Sequence, residues 1–364
     1  MYFTKEWTIE DLLTLSFYKG INSKKIIDII SNYISYERLI KANLPDKLKL
    51  IFNQDALFDN NINREKAKYE LDHIIKKGYN LYTFIDEDYP TLLKEIFDPP
   101  AFLFVKGKLQ QSNAASISIV GTRRNSVYGR LATEKFAQAF VYNNIIVTSG
   151  LANGIDTIAH QTVVKNNGIT YAIIASGIDK LSPSLSVKNS ESIVESGGAI
   201  ISTYHSSVSA KPGYFLQRNR IISGISKATL IIESAGKGGS LWTAKFSADQ
   251  NREVFALPGR ISDEKSVGTN KLILDNLAQI AISPEFILEE LGFKSKTSKI
   301  ENILKFENPD EEKVYKLLNQ NPTHIDELID KLDYEMSQLL VILLNLEFSN
   351  KVRQLPGKHY ITTN

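Results

Sequence analysis

The chain has 364 residues, 43% hydrophobic and 23% charged, an ordinary globular composition with length enough for two or three domains. Its 43 lysines and arginines nearly cancel 41 aspartates and glutamates, leaving +2, so any polyanion site must concentrate its cations locally. Cysteine is absent, which excludes a disulfide framework and a thiolate metal site and suits a reducing cytoplasm.

The opening MYFTKEWTIEDLLTL carries Glu10 and Asp11 and lacks a long uncharged apolar core, so no signal peptide is expected there. No stretch reaches the ~20 apolar residues of a membrane helix. From Thr8 to about Lys77, Leu12, Leu15, Ile26, Ile29 and Ile30 recur at three- and four-residue intervals, and Gly20 stands between two such stretches. A small helical domain is expected over residues 1–82.

The texture then changes. Short β-rich runs follow at Ser116–Val120, Ile145–Thr148, Tyr171–Ala175, Ile200–Thr203, Thr229–Ile232 and Val254–Leu257. Helical patterns separate several of them. Tyr128, Leu131, Ala132, Phe136 and Phe140 mark one apolar face; Ile155, Ile158, Ala159 and Val163 mark another. Strands alternating with helices imply right-handed crossovers and a mostly parallel sheet covered on both faces, an α/β domain expected over 83–292. Lys294–Lys299 reads as a polar linker within 293–305.

A last helical unit is expected over 306–364. Its stripes are Val314, Leu317 and Leu318, then Ile325, Leu328 and Ile329, then Met336, Leu339, Leu340 and Leu343. Lys351–Ile361 reads as two short strands around Pro356-Gly357. Three helices and a hairpin suggest a winged helix. From Glu307 onward ten acidic residues oppose six basic ones, and Glu335–Glu347 holds no Lys or Arg. A major-groove helix normally carries cationic or amide side chains, so a protein-contact role is favoured for this unit, with duplex binding left open.

Three β-runs end in glycine-containing corners that open helices: Gly121-Thr122-Arg123-Arg124-Asn125-Ser126, Ser149-Gly150-Leu151-Ala152-Asn153-Gly154-Ile155-Asp156, and Gly236-Lys237-Gly238-Gly239-Ser240-Leu241-Trp242-Thr243. In a parallel sheet these lie at the carboxyl ends of strands, where ligands dock and where helix amides favour phosphate. The full dinucleotide fingerprint and the full Walker A pattern are both missing, so neither a nicotinamide cofactor nor ATP is expected. The segment Lys211-Pro212-Gly213-Tyr214-Phe215-Leu216-Gln217-Arg218-Asn219-Arg220 interleaves cations with two adjacent aromatics. Cations suit phosphates and aromatic rings suit unpaired bases, although a surface loop and helix with ordinary ion pairs would read alike.

Together these stretches resemble the DNA-processing protein A family (DprA, also called Smf). The resemblance rests on Val120–Arg124, Ser149–Asp156, Arg218–Gly224, Gly239-Ser240 with Thr243-Ala244, and Leu257-Pro258-Gly259. Asp88-Tyr89-Pro90 and Phe102–Gly107 resemble the start of its α/β domain, and Leu346-Glu347 with Gln354–Tyr360 its winged helix. It implies an extended Rossmann-like fold with an N-terminal helical domain of SAM or helix-hairpin-helix type and a C-terminal winged helix. It also implies single-stranded DNA as ligand, protection of incoming DNA during natural transformation, a RecA-type recombinase as partner and a homodimer; with no catalytic constellation found, no enzyme activity is expected. By matching position, Arg123, Lys211, Phe215, Arg218 and Arg220 would line the strand site; Tyr214 is added on its chemistry alone. Gly121, Thr122, Arg124, Asn219, Gly239 and Ser240 complete the expected DNA-binding set. The chain departs from the family pattern at Ser182-Pro183, Thr203 and Leu216-Gln217.

Other constellations carry less. Asp156 and His160 are four apart on an expected helix, but no third ligand is evident, and a helix cap beside a locally bonded histidine is favoured over a metal pair. Ser149 and Ser240 lack a nucleophile-elbow context. Glu233 closes a strand near the corners, either as a catalytic carboxylate or as an anchor for Arg123 or a backbone amide. Two rival functions are a nucleotide phosphoribohydrolase, disfavoured because Lys237-Gly238-Gly239-Ser240 lacks a leading proline, and a small-nucleotide sensor. No cofactor and no metal is expected.

Overall fold

The computed structural model describes residues 6–41, 61–181, 184–293, 306, 308–318, 322–332, 334–349 and 351–362. The proposed linker 294–299 and the Ser182-Pro183 departure lie outside the described residues. By contacts the chain divides into two units, Met1–Lys296 and Thr297–Asn364.

The first unit opens with α1 (Ile9–Ser16), α2 (Ser23–Asn32), α3 (Tyr36–Lys41) and α4 (Asn61–Lys77). Thr8 starts α1 with a capping box: its hydroxyl accepts from the Asp11 amide at 3.1 Å, and the Asp11 carboxylate accepts from the Thr8 amide at 3.2 Å. Leu12, Leu15, Ile26, Ile29 and Ile30 are all buried, as their spacing predicts.

Next come β1 (Asn80–Thr83), α5 (Thr91–Lys94), β2 (Phe102–Gly107), β3 (Ser116–Val120), α6 (Val127–Tyr142), β4 (Ile146–Ser149), α7 (Ile155–Lys165) and β5 (Thr170–Ile173). They are followed by α8 (Ser184–Glu195), β6 (Ala199–Ser202), α9 (Pro212–Gly224), β7 (Ala228–Ile231), α10 (Ser240–Asp249), β8 (Glu253–Ala256), α11 (Val267–Leu274), β9 (Gln279–Ile280) and α12 (Pro284–Glu290). The nine strands form one sheet in the order β1-β2-β6-β5-β4-β3-β7-β8-β9. The pairs from β6 through β9 are parallel; β1–β2 and β2–β6 are antiparallel. This is the doubly wound, Rossmann-like arrangement, and strand order reverses at β3, between β4 and β7.

The central strands are buried along their whole length because helices cover both faces. Ile117 and Ile119 pack against Phe136 and Phe140 of α6 on one face. On the other, Val120, Ile231 and Ala256 meet Ile221 and Ile222 of α9. The apolar face expected on α6 is narrower than its sequence stripe: Tyr128 and Leu131 are about half exposed, at 46% and 49%. A third core joins Trp7, Leu12, Ile29 and Ile74 of the amino-terminal helices to Phe102, Phe104, Ala172, Ile174 and Ile200 of the sheet.

The second unit holds α13 (Pro309–Leu317), β10 (Thr323–His324), α14 (Ile325–Leu332), α15 (Met336–Phe348), β11 (Val352–Leu355) and β12 (His359–Thr362). Its strands pair antiparallel in the order β10-β12-β11, with Gly357 at φ 79 in the turn of the wing. Val314, Leu328, Leu339 and Leu343 form its core. Leu317, Met336 and Leu340, expected in the stripes, are instead exposed.

Candidate nucleic-acid interface

The corners after β3 and β7 meet where strand order reverses, and a cavity of about 630 Å3 opens between them. Gly121, Thr122, Arg123 and Arg124 line it from the first corner, and Gly238, Gly239 and Ser240 from the second. Phe215, Leu216, Arg218 and Asn219 of α9 form another wall. A smaller recess of about 160 Å3 adjoins it at the ends of β4 and β5, sharing Arg123, Phe215 and Arg218 and adding Asn153, Ser176 and Lys180.

The first corner is held from behind. Ser126 begins α6, and its hydroxyl accepts from the Gly129 amide at 3.0 Å. Glu233, 1% exposed, accepts from the Ser126 amide at 2.9 Å and from the Ser126 hydroxyl. The carboxylate left open as catalyst or anchor is thus bonded on both oxygens and anchors a backbone amide. Gly129 is required beneath it, since a β-carbon there would enter the carboxylate. Gly154, at φ 84, lets the Thr122–Arg123 backbone lie against the start of α7. The lack of a side chain at Gly121 serves packing against Ile155, whereas Gly239 faces open space. No side chain caps α10, so its first turn keeps the positive end of the helix dipole available to an anion.

Arg123 and Arg124 are exposed, and among the described residues neither they nor Lys211 forms an ion pair with a carboxylate. The Arg123 guanidinium stands 5.7 Å from the centroid of the Phe215 ring, a cation–π contact that sets charge beside an aromatic face. Asn219 ties α9 to the second corner through the Gly239 carbonyl at 3.4 Å.

Four of the expected residues are placed differently. Arg218 is 5% exposed, and its Nη1 donates to the carbonyls of Gly150 and Ile173. It touches the cavity from beneath and braces two strand ends. Its helical phase explains this, because it shares a stripe with Ile221 and Ile222. Burial pulls its pKa down to about 10, with Asp156 opposing. Arg220 leaves the cavity altogether and bonds Asp98, through the backbone carbonyl and through the carboxylate at 3.5 Å. Tyr214 stacks on Tyr204 with centroids 4.3 Å apart, and Lys211 reaches over the Tyr214 ring at 5.7 Å; neither lines the cavity.

The middle corner is closed by Asp156, which accepts from the Gly150 amide at 3.1 Å and the Ala152 amide at 3.4 Å. His160 bonds Thr170 at 2.7 Å rather than Asp156, and burial drives its pKa down to about 3. The Ser149 hydroxyl donates to the Ile119 carbonyl at 2.6 Å, and that of Ser240 to Ser234 at 2.9 Å. Trp242, half exposed on the cavity wall, is absent from the sequence-derived set. The signal was available: a large aromatic three residues past a double glycine at a helix start.

Residues 80–292 match the family model described as DNA recombination-mediator protein A, and residues 305–358 match the DprA winged helix domain. The chain is 31% identical over 301 residues to Protein Smf of Escherichia coli, covering 81% of this chain and 80% of that one. It is 35% identical over 217 residues to the DNA processing protein DprA of Bacillus subtilis, covering 59% and 72% respectively. Among solved structures, DprA from Streptococcus pneumoniae aligns with TM-score 0.63 and 29% identity, covering 78% of this chain and 98% of that one. A DNA processing protein A from Helicobacter pylori, described for its single-stranded DNA binding mode, aligns with TM-score 0.53 and 27% identity over 58% of this chain and 95% of that one. Fold, ordered motifs and both domain matches agree: the chain belongs to the DNA recombination-mediator protein A family, with its winged helix domain.

Proposed function

We propose that this protein binds and protects single-stranded DNA in the groove at the ends of β3 and β7, and acts by holding the strand. Arg123 carries the reading: an exposed guanidinium with no carboxylate partner among the described residues, set over the Phe215 ring and facing the uncapped start of α10. Cation, aromatic face and helix amides in one open groove match a phosphate-base-phosphate ligand. The Helicobacter pylori relative, described for its mode of binding single strands, supports it.

Holding fits better than chemistry, since Glu233, Asp156 and Ser149 are all engaged in bracing loops. The role follows that of the family: delivery of the strand to a RecA-type recombinase during DNA uptake, in the cytoplasm. No described helix is long and apolar enough to cross a membrane. A homodimer is proposed through the β9 edge of the sheet, where Leu274, Leu277 and Ile282 are exposed. A division into 1–82, 83–292, 293–305 and 306–364, and a protein-contact role for the winged helix, complete the proposal.

The test is fluorescence anisotropy on matched single- and double-stranded oligonucleotides across a salt series. The single strand should bind more tightly, with a log–log salt slope of about −0.7 for each phosphate neutralised. Equal affinity for both forms, or no loss in Arg123→Ala, overturns the reading.

A further inference from the structure

Trp242 is the third residue of α10, and its amide bonds the Gly239 carbonyl at 3.2 Å, which sets its backbone beside the Gly238-Gly239 corner. The inward face of that helix is formed by Ser240, Thr243, Ala244 and Ser247, all buried. Trp242 points the other way, is 50% exposed, and lines the same cavity as Arg123 and Phe215. Lys245, one turn on, places its ammonium 5.6 Å from the indole centroid. The chain's other tryptophan, Trp7, serves the core: it is 7% exposed and donates its indole N–H to the Tyr33 carbonyl at 2.9 Å.

An indole is the largest apolar side chain, and leaving half of it in water forgoes burial energy. Its position repeats the arrangement elsewhere in the same cavity, where Arg123 stands over Phe215. Each pair sets an aromatic face on the cavity wall beside an exposed cation, the combination that holds consecutive nucleotides of a single strand.

We propose that Trp242 is a second base-stacking platform and Lys245 its phosphate contact, so that the strand continues from Phe215 across the start of α10. The inference rests on the single-strand reading above and extends it to residues outside the sequence-derived set.

The experiment uses the full chain, a 5′-labelled oligothymidylate and the intrinsic tryptophan emission. Wild-type emission should be quenched on binding, and Trp242→Phe, with only the buried Trp7 left, should lose the quench and keep its affinity. Trp242→Ala should weaken binding roughly 5- to 150-fold with the salt slope unchanged, as loss of one stacked base predicts. Lys245→Ala should make the slope less negative by about 0.7. If Trp242→Ala binds like wild type while Arg123→Ala does not, the second platform is wrong and the groove stands. If Arg123→Ala also binds like wild type, both fall. A change in sedimenting mass in Trp242→Ala with oligonucleotide affinity intact would make the indole a protein contact and overturn the proposal.

Discussion

Arg218 donates to the carbonyl oxygen of Ile173 at 2.6 Å and to that of Gly150, binding the ends of β4 and β5 together beneath the groove. Asp156, buried beside it, offsets its charge while bonding the Gly150 and Ala152 amides. Replacing Arg218 by Met strips the Gly150 and Ile173 carbonyls of a buried donor and removes the cation that opposes the burial-driven rise of Asp156, and should lower the urea midpoint, at about 1–3 kcal/mol for each carbonyl left unpaired. The pair Arg218→Met with Asp156→Asn should cost less than the sum of the single changes.

Arg123 and Arg220 should behave in opposite ways. Arg123→Ala should shift the salt slope of oligonucleotide binding by about 0.7 and leave the urea midpoint in place. Arg220→Ala removes the bonds to Asp98 and should lower the midpoint while leaving the slope unchanged. Phe215→Ala should weaken binding by about 1–3 kcal/mol with no change of slope. Anisotropy and urea titration on the same preparations separate the three.

The Glu233–Ser126 contact predicts a modest structural effect. Ser126→Ala removes a helix cap and should cost about 1 kcal/mol. Glu233→Ala strips the partner from the Ser126 amide as well and should cost about 1–3 kcal/mol. Both should weaken oligonucleotide binding by loosening the Arg123 loop, and Glu233→Gln should restore much of it.

Acid should destabilise the first unit through its buried histidines. Burial holds His160 at about 3 against 6.5 when free, so between those values the unfolded chain carries the extra proton. Stability is therefore full above pH 6.5 and falls as pH drops, by up to about 1.4 kcal/mol per pH unit. His205, also pulled down by burial, acts in the same direction. Urea midpoints measured from neutral to mildly acidic pH should show this slope, and His160→Gln should reduce it without abolishing it.

The proposed homodimer through the β9 edge can be tested by association. Leu274, at 79% exposure, and Ile282, at 65%, lie near a strand with only one partner among the described residues. Ile282→Asp should shift sedimentation equilibrium toward the monomer, with little change in the urea midpoint.

Much of the fold was legible because each central strand is a compact β-branched run. The expected runs from Ser116 to Leu257 lie within two residues of the observed strands. β1, β2 and β9 are absent from the expected strands: β1 is Asn80–Thr83, with mixed polarity, β9 is only two residues long, and Phe102–Gly107 stands out only as a family-like stretch. The antiparallel setting of β2 depends on how the chain enters the sheet, which no local pattern records. Within the groove, Arg123 and Phe215 came from their corner and their neighbours. Arg220, expected in the strand site by matching position, lies outside the groove because Asp98, 122 residues away in sequence, holds its guanidinium. The burial of Arg218 is written in its helical phase, which it shares with Ile221 and Ile222.

Trp7, Ile29 and Ile74 belong to the same apolar cluster as Phe102, Phe104 and Ile200. A truncated chain starting at β1 would therefore present bare phenylalanines to water along that side of the sheet. The amino-terminal helices and the sheet should accordingly melt in a single step, and fragments lacking the helices should precipitate before their grip on DNA can be measured.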